Sequence, residues 1–262
     1  MSAPVDAEAR GLAYAAARQV NAPVNAGWPT LSDSLAADAV RKTGTGRERA
    51  RARIDTELGA LWLRIINAPD YVGWRRLAGS LTGTFKDGLM PDPAFDQSYT
   101  LEVLDLAVTR AGWAFTPGCL TVSVHALGRL VQRGRVRATS GLQAAVLELH
   151  DTLLQMPEAT ACSMINERLA INPHEHRADV LLPGPAGGAW ATTIRLVELE
   201  RTRTLRPIWT ARTFLDRDQL DDRQTSEVAG LRSSLLPDRY SPGSAGYGML
   251  RPAMPRPPDD SN

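Results

Sequence analysis

Cysteine is scarce in this chain: Cys119 and Cys162 are the two in 262 residues. Two thiols cannot build a disulfide framework or complete a structural zinc site by themselves. Both are expected to be buried thiols in a reducing compartment. Lysine is equally rare, with Lys42 and Lys86 standing among 30 basic residues. The positive charge is therefore carried by arginine, whose planar fork suits phosphate and carboxylate. It is balanced by 29 acidic residues to a net +1, so the overall composition has no polyanion-binding signature, and any such contact must come from a local patch. No apolar stretch approaches the ~20 residues of a membrane span. The first twenty residues include Asp6 and Glu8 and lack a continuous apolar run, so no secretory leader and a cytoplasmic location are expected. The phosphate-cradling patterns GxxxxGK[ST] and GxGxxG are missing, as are GxSxG and any kinase signature.

What is present is a change of pattern along the chain. Residues 6–20 and 32–42 have helical spacing, the second with Ser32 or Asp33 as a cap. A longer helix is expected over 47–67, with Arg47, Arg49, Arg51 and Arg53 in its first turns and Ile54, Leu58, Leu61, Trp62, Ile65 and Ile66 buried. Asp70 is placed to cap another through Leu81, with Trp74 and Leu77 inward. Glycines and prolines over 82–98 mark a long connection, either a boundary between two halves or an ordered surface loop. Beyond it, 100–109 and 120–124 are strand-like, 125–133 and 140–156 helical, and 162–171, 178–182, 189–199 and 204–214 strand-like. A charged helical pattern covers 217–236, and a Pro/Gly/Ser-rich tail follows. The late strands are separated by turn-sized gaps, which demands antiparallel pairing. The expected architecture is α+β, with a helical N-terminal part (1–98), an α+β part whose helices pack on an antiparallel sheet (99–236), and a flexible tail (237–262).

One helix carries a chemical pattern. At about 100° per residue, His125, Arg129 and Arg133 fall within about 80° of one another with Gln132 beside them, opposite Ala126, Leu127, Leu130 and Val131. Arg135 and Arg137 extend the charge. An imidazole near neutrality can move a proton, and forked guanidiniums can stabilise charge on phosphate oxygens. Those groups suffice for metal-independent RNA cleavage, because RNA supplies its own 2′-hydroxyl nucleophile. The same pattern also describes a solvated helix face.

The segment Val124-His125-Ala126-Leu127-Gly128-Arg129-Leu130-Val131-Gln132-Arg133 resembles the HAxxRxxxR helix of RelE-like bacterial toxins, which share the barnase/colicin-type ribonuclease fold. The resemblance implies helices preceding an antiparallel sheet, no cofactor, and an active surface completed by residues of the sheet. It spans about ten residues; the chain is far longer than a free-standing toxin, and its late strands lack a second histidine. On this expectation His125, Arg129, Arg133 and Arg212 are catalytic. Gln132, Arg135, Trp209 and Glu200 would hold substrate, with Trp209 as a stacking platform. Core packing for Trp209, and cross-strand ion pairs for Glu198, Glu200 and Arg212, explain the same residues structurally. RNA is the expected partner, together with a cognate antitoxin or other protein docking on the helical half. The alternative is a non-catalytic interaction protein of a plasmid, phage or defence system. A metal site from His150, His174 and His176 lacks the fixed spacing of a helical HExxH, so no metal is expected.

Overall fold

The computed structural model describes residues 6–20, 31–80, 100–110, 112–116, 120–134, 136–171, 177–199 and 204–237. Asp6 accepts from the Ala9 N–H at 2.7 Å and caps α1 (Ala7–Gln19). Ser32 caps α2 (Asp33–Arg41) through Leu35 in the same way. Both helices match the sequence pattern. The next one does not: α3 (Gly44–Leu58) ends at Gly59, which adopts φ +81°, a conformation that glycine reaches at little cost and that stops a helix. The remainder of the expected helix is strand β1 (Leu63–Ala68), and Leu61, expected inward, is exposed.

The helix expected from Asp70 is also a strand, β2 (Tyr71–Ser80), joined to β1 by the two-residue turn Pro69-Asp70. Trp74 and Leu77 are three apart, which suggested one helical face. In the strand they lie on opposite faces, and each packs into a different core.

Strands β3 (Thr100–Thr109), β4 (Gly112–Thr116) and β5 (Leu120–Ser123) follow, then α4 (Val124–Gly134) and α5 (Thr139–Gln155). The segment expected as a strand over 162–171 belongs to helix α6 (Glu158–Ile171). Its Ala161, Met164 and Ile165 pack on the core at helical spacing, and Cys162 is exposed instead of buried. Cys119 lies outside the described residues. Strands β6 (Arg177–Pro183), β7 (Ala189–Leu199) and β8 (Thr204–Leu215) come next, and α7 (Asp222–Ser234) closes the described chain.

All eight strands form one sheet in the order β1-β2-β3-β5-β8-β7-β6, with β4 beside the end of β3. The late strands pair antiparallel as expected, and β5 pairs with β8 in parallel. The fold is α+β. Residues 82–98, the expected boundary, and the tail from 238 lie outside the described residues. On either side of that boundary β2 and β3 pair from Tyr71↔Thr109 to Ser80↔Thr100.

The sheet carries a core on each face. On one face α1, α4 and α5 pack over Leu101, Val122, Trp190, Ile194, Trp209 and Phe214, with α6 and α7 adding Ile165 and Leu231. Four buried alanines of α1 (Ala9, Ala13, Ala16 and Ala17) contribute to this core, and small side chains allow the close approach of α1 to α4. On the opposite face α2 and α3 cover Val72, Trp74, Leu106 and Val108 at the β1–β4 end. Arg51 ties α3 down there: it is buried and donates to the carbonyls of Ala39 (2.9 Å) and Ala68 (2.6 Å) and to the Asn67 side chain. Among the described residues, no helix contributes to that opposite face over β5, β8, β7 and β6. No described helix is long and apolar enough to cross a membrane.

Candidate functional site

Helix α4 begins where β5 ends. Ser123 accepts from the Ala126 N–H at 3.1 Å, capping the helix, and its hydroxyl lies 3.3 Å from the Ala211 carbonyl and 3.4 Å from that of Arg212. One hydroxyl thus fixes the β5–α4 turn against β8. His125 sits in this first turn, half-buried.

The rest of the expected stripe is built into the fold. Arg129 is 3% exposed and donates to Gln132 Oε1 at 3.1 Å; Gln132 in turn donates to Asp6 Oδ2 at 2.9 Å, at the N-terminus of α1. Burial, and then the neighbouring charge of Arg133, lower the Arg129 pKa from its ordinary value. The Asp6 carboxyl is lowered by the Ala9 N–H and then by Gln132. Arg133 donates to the Phe214 carbonyl at 2.7 Å, pinning the end of α4 to β8. The polar face of α4 is therefore a seam between α1 and the sheet, where an exposed His–Arg face was expected. The reason is that the helix is central: it packs on β8 with one side and on α1 with another.

Strand β8 departs from strict alternation at Arg212. Ala191 pairs with Thr213 and Thr192 with Ala211, so Arg212 is the extra residue of a bulge. Beyond it the pattern shifts by one, and Phe214 joins Trp209 and Ala211 in the core, where alternation placed Thr213. Phe214 meets Trp190 edge to face, with ring centroids 5.2 Å apart. Trp209 is 2% exposed, and its indole N–H has no hydrogen-bond partner; it packs in the core and offers no stacking surface. Arg212 points away from that core, and its Nη2 lies 3.4 Å from Asp179 Oδ2. Glu200, Arg135, His174 and His176 lie outside the described residues.

Two arrangements escaped the sequence pattern. The first is a buried charged cluster between the sheet and α5. Arg75 on β2 donates to Asp105 on β3 (2.8 Å) and to Asp151 on α5 (2.6 Å), while His150 Nε2 lies 3.6 Å from Asp105 Oδ2. Burial alone would lower the Arg75 pKa; the two carboxylates outweigh it and hold the guanidinium above its ordinary value. Beside Asp151 a groove of about 560 Å³ is lined by Glu148, Gln155 and Arg232 among others. Only the strand register brings position 75 opposite 105, so no local spacing could have signalled the cluster.

The second is a row of hydroxyls on the sheet face opposite α4. The register aligns Thr121 (β5), Thr210 (β8), Thr193 (β7) and Asp179 (β6) side by side. Thr193 donates to Asp179 Oδ1 at 2.7 Å. Arg195 lies on one side of the row and Arg212 on the other, two positions from Thr193 and Thr210. Among the described residues no group of three His, Cys, Asp or Glu side chains gathers as metal ligands would.

Comparisons of the chain with protein-family models, with curated proteins and with solved structures find no match.

Proposed function

We propose that the protein is a bacterial ribonuclease-like toxin or effector acting where β5 passes into α4. The observation supporting this is the staple formed by Ser123. It holds the helix turn carrying His125 against the Ala211–Arg212 backbone of β8, so the histidine and the arginine stem from neighbouring stretches of backbone. His125 would take the proton from the ribose 2′-hydroxyl, whose oxygen attacks phosphorus to form a 2′,3′-cyclic phosphate; the P–O5′ bond breaks and the leaving oxygen takes a proton from solvent water. Arg212 would steady charge on the phosphoryl oxygens. Arg129 and Arg133 become positioning residues that hold α4 in place, and the helices of the N-terminal half offer a surface for an antitoxin or another protein.

One observation favours a second reading, a non-catalytic interaction protein: Arg129, Gln132 and Arg133 all spend hydrogen bonds within the fold. Incubating purified protein with RNA in the presence of a chelator separates the two. Catalysis requires cleavage by the wild type and a loss of about 10²- to 10⁴-fold in His125→Ala, with circular dichroism unchanged. A wild-type protein that neither cleaves RNA nor arrests growth on expression removes the catalytic reading and leaves the interaction protein.

A further inference from the structure

Helix α2 runs into α3 through Lys42 and Thr43, and this connection meets two hairpin turns at one end of the sheet. Tyr71 pairs with Thr109, which sets the Pro69-Asp70 turn beside the turn at Arg110. Arg41, at the end of α2, donates from Nη2 to the Arg110 carbonyl at 3.1 Å. Arg47, near the start of α3, donates from Nη1 to the Pro69 carbonyl at 3.1 Å. A neutral carbonyl fixes a guanidinium in place without cancelling its charge. Arg110 and Arg49 are exposed, and among the described residues their side chains make no hydrogen bond or ion pair. Most carboxylates nearby are engaged. Asp38 pairs with Lys42 at 2.6 Å, and Glu48 lies 3.4 Å from both Arg51 and Arg64. Asp33, at the other end of α2, accepts from Trp113 Nε1 at 3.2 Å. Asp70 is exposed and unpaired among the described side chains, so the guanidiniums of Arg41, Arg47, Arg49 and Arg110 face one open carboxylate.

We propose that this corner of the molecule is a docking surface for the phosphate backbone of RNA. It rests on the reading above in taking RNA as the partner, and adds where the RNA is held away from the reacting bond. Guanidinium forks match phosphate oxygens in pairs, and several of them together meet successive phosphates of one polyanion. Contacts of this kind position a nucleic acid without reading its sequence. A protein partner would call for an apolar centre with aromatic or aliphatic anchors. Leu61 and Leu63 are the exposed large apolar residues among the described ones, and Leu63 begins β1, at the opposite end from the Pro69 turn. Ser123 pairs with Thr100 at the other end of β3. The corner therefore lies roughly 30 Å from the His125 turn, at ~3.3 Å for each residue of the strand. An RNA long enough to span that distance is gripped at the corner while a bond far along it enters the His125 turn.

The test is fluorescence anisotropy of the full chain with labelled, unstructured oligoribonucleotides of differing sequence, long enough to span both places. The intactness of each is checked on a gel, so that binding and cleavage are scored separately. Binding should be indifferent to base sequence and should weaken steeply as salt rises from about 50 to 200 mM. Arg110→Gln, Arg49→Gln and Arg41→Gln should each weaken it roughly three- to tenfold and flatten the log–log salt slope by about 0.7. Strand β8 runs parallel to β5, so Arg217 beyond its end lies at the opposite end of the sheet. Arg217→Gln removes the same charge there and should change binding less than about twofold. Asp70→Asn should tighten binding several-fold, a gain that misfolding cannot imitate. No binding at the lowest salt, or equal effects of Arg217→Gln and Arg110→Gln, would overturn the proposal. So would poly-L-glutamate competing as well as RNA at equal charge, which would assign the corner to an acidic protein. RNA bound through these arginines but left intact would support this surface and remove the catalytic reading; cleavage of bound RNA unaffected by them would do the reverse.

Discussion

Arg75 is the residue whose environment departs furthest from water. A guanidinium 4% exposed between two carboxylates is tolerable because its charge is met on both sides. Removing only the cation leaves Asp105 buried without its guanidinium partner and with His150 as its neighbour. Arg75→Ala should therefore cost about 3–5 kcal/mol, read from urea unfolding. Replacing the pair together, Arg75→Met with Asp105→Leu, removes both charges and should cost far less than Arg75→Ala alone. A double variant as unstable as the single one would mean that Arg75 acts through packing alone. The cluster joins β2 and β3 to α5 across |i−j| separations of 30 and 76 residues, so its members carry no mark in the sequence. Arg75 reads there as an ordinary basic residue beside Arg76.

Among the elements, the bulge in β8 decides which side chain is core. Strict alternation through Ile208–Phe214 puts Thr213 with Trp209, whereas the register shift at Arg212 puts Phe214 there, 1% exposed and against Trp190. Phe214→Ala should cost about 3–5 kcal/mol in chemical denaturation, and Thr213→Ala less than about 1 kcal/mol. The reverse order would mean that the bulge is absent. This strand also shows where sequence reading succeeds and where it stops. Its extent was legible from its β-branched and aromatic residues, as were those of β3 and β7 and of α1, α2, α4 and α5. A bulge adds one residue without changing composition, so the exchange of Thr213 for Phe214 was not. The segments misread as helices, 59–67 and 71–80, failed for a related reason. In β2 the apolar residues face two cores, Trp74 one way and Leu77 the other, and that double-sided pattern mimics helical spacing; in β1 the run of Leu63, Ile65 and Ile66 is apolar on both faces. At the candidate site the existence and amphipathicity of α4 were legible. That its polar side would be sealed by α1 was not, because the Gln132–Asp6 contact spans 126 residues.

At the scale of the molecule, two cores on opposite faces of one sheet raise the question of whether the halves unfold separately. The first core draws on α1 from one end of the chain and on β7 and β8 from the other. The second is built from residues 31–113, so it crosses the 82–98 segment through Leu106 and Val108 of β3. Strand β3 contributes to both, Leu101 and Val103 to one and Leu106 and Val108 to the other. Losing it strips both cores at once. The paired β2 and β3 and the Arg75–Asp151 bridge add coupling between the same parts. Thermal unfolding should accordingly be a single transition, with far-UV circular dichroism and tryptophan fluorescence coincident. The tryptophans make this a fair test, because Trp62 and Trp74 report on one core and Trp190 and Trp209 on the other. Variants keeping tryptophan in only one core should melt at the same temperature by fluorescence as by circular dichroism. Two separated transitions, each followed by its own tryptophan pair, would show instead that the faces fold as independent units. The strand they share would then transmit nothing between the α4 seam and the α2–α3 layer.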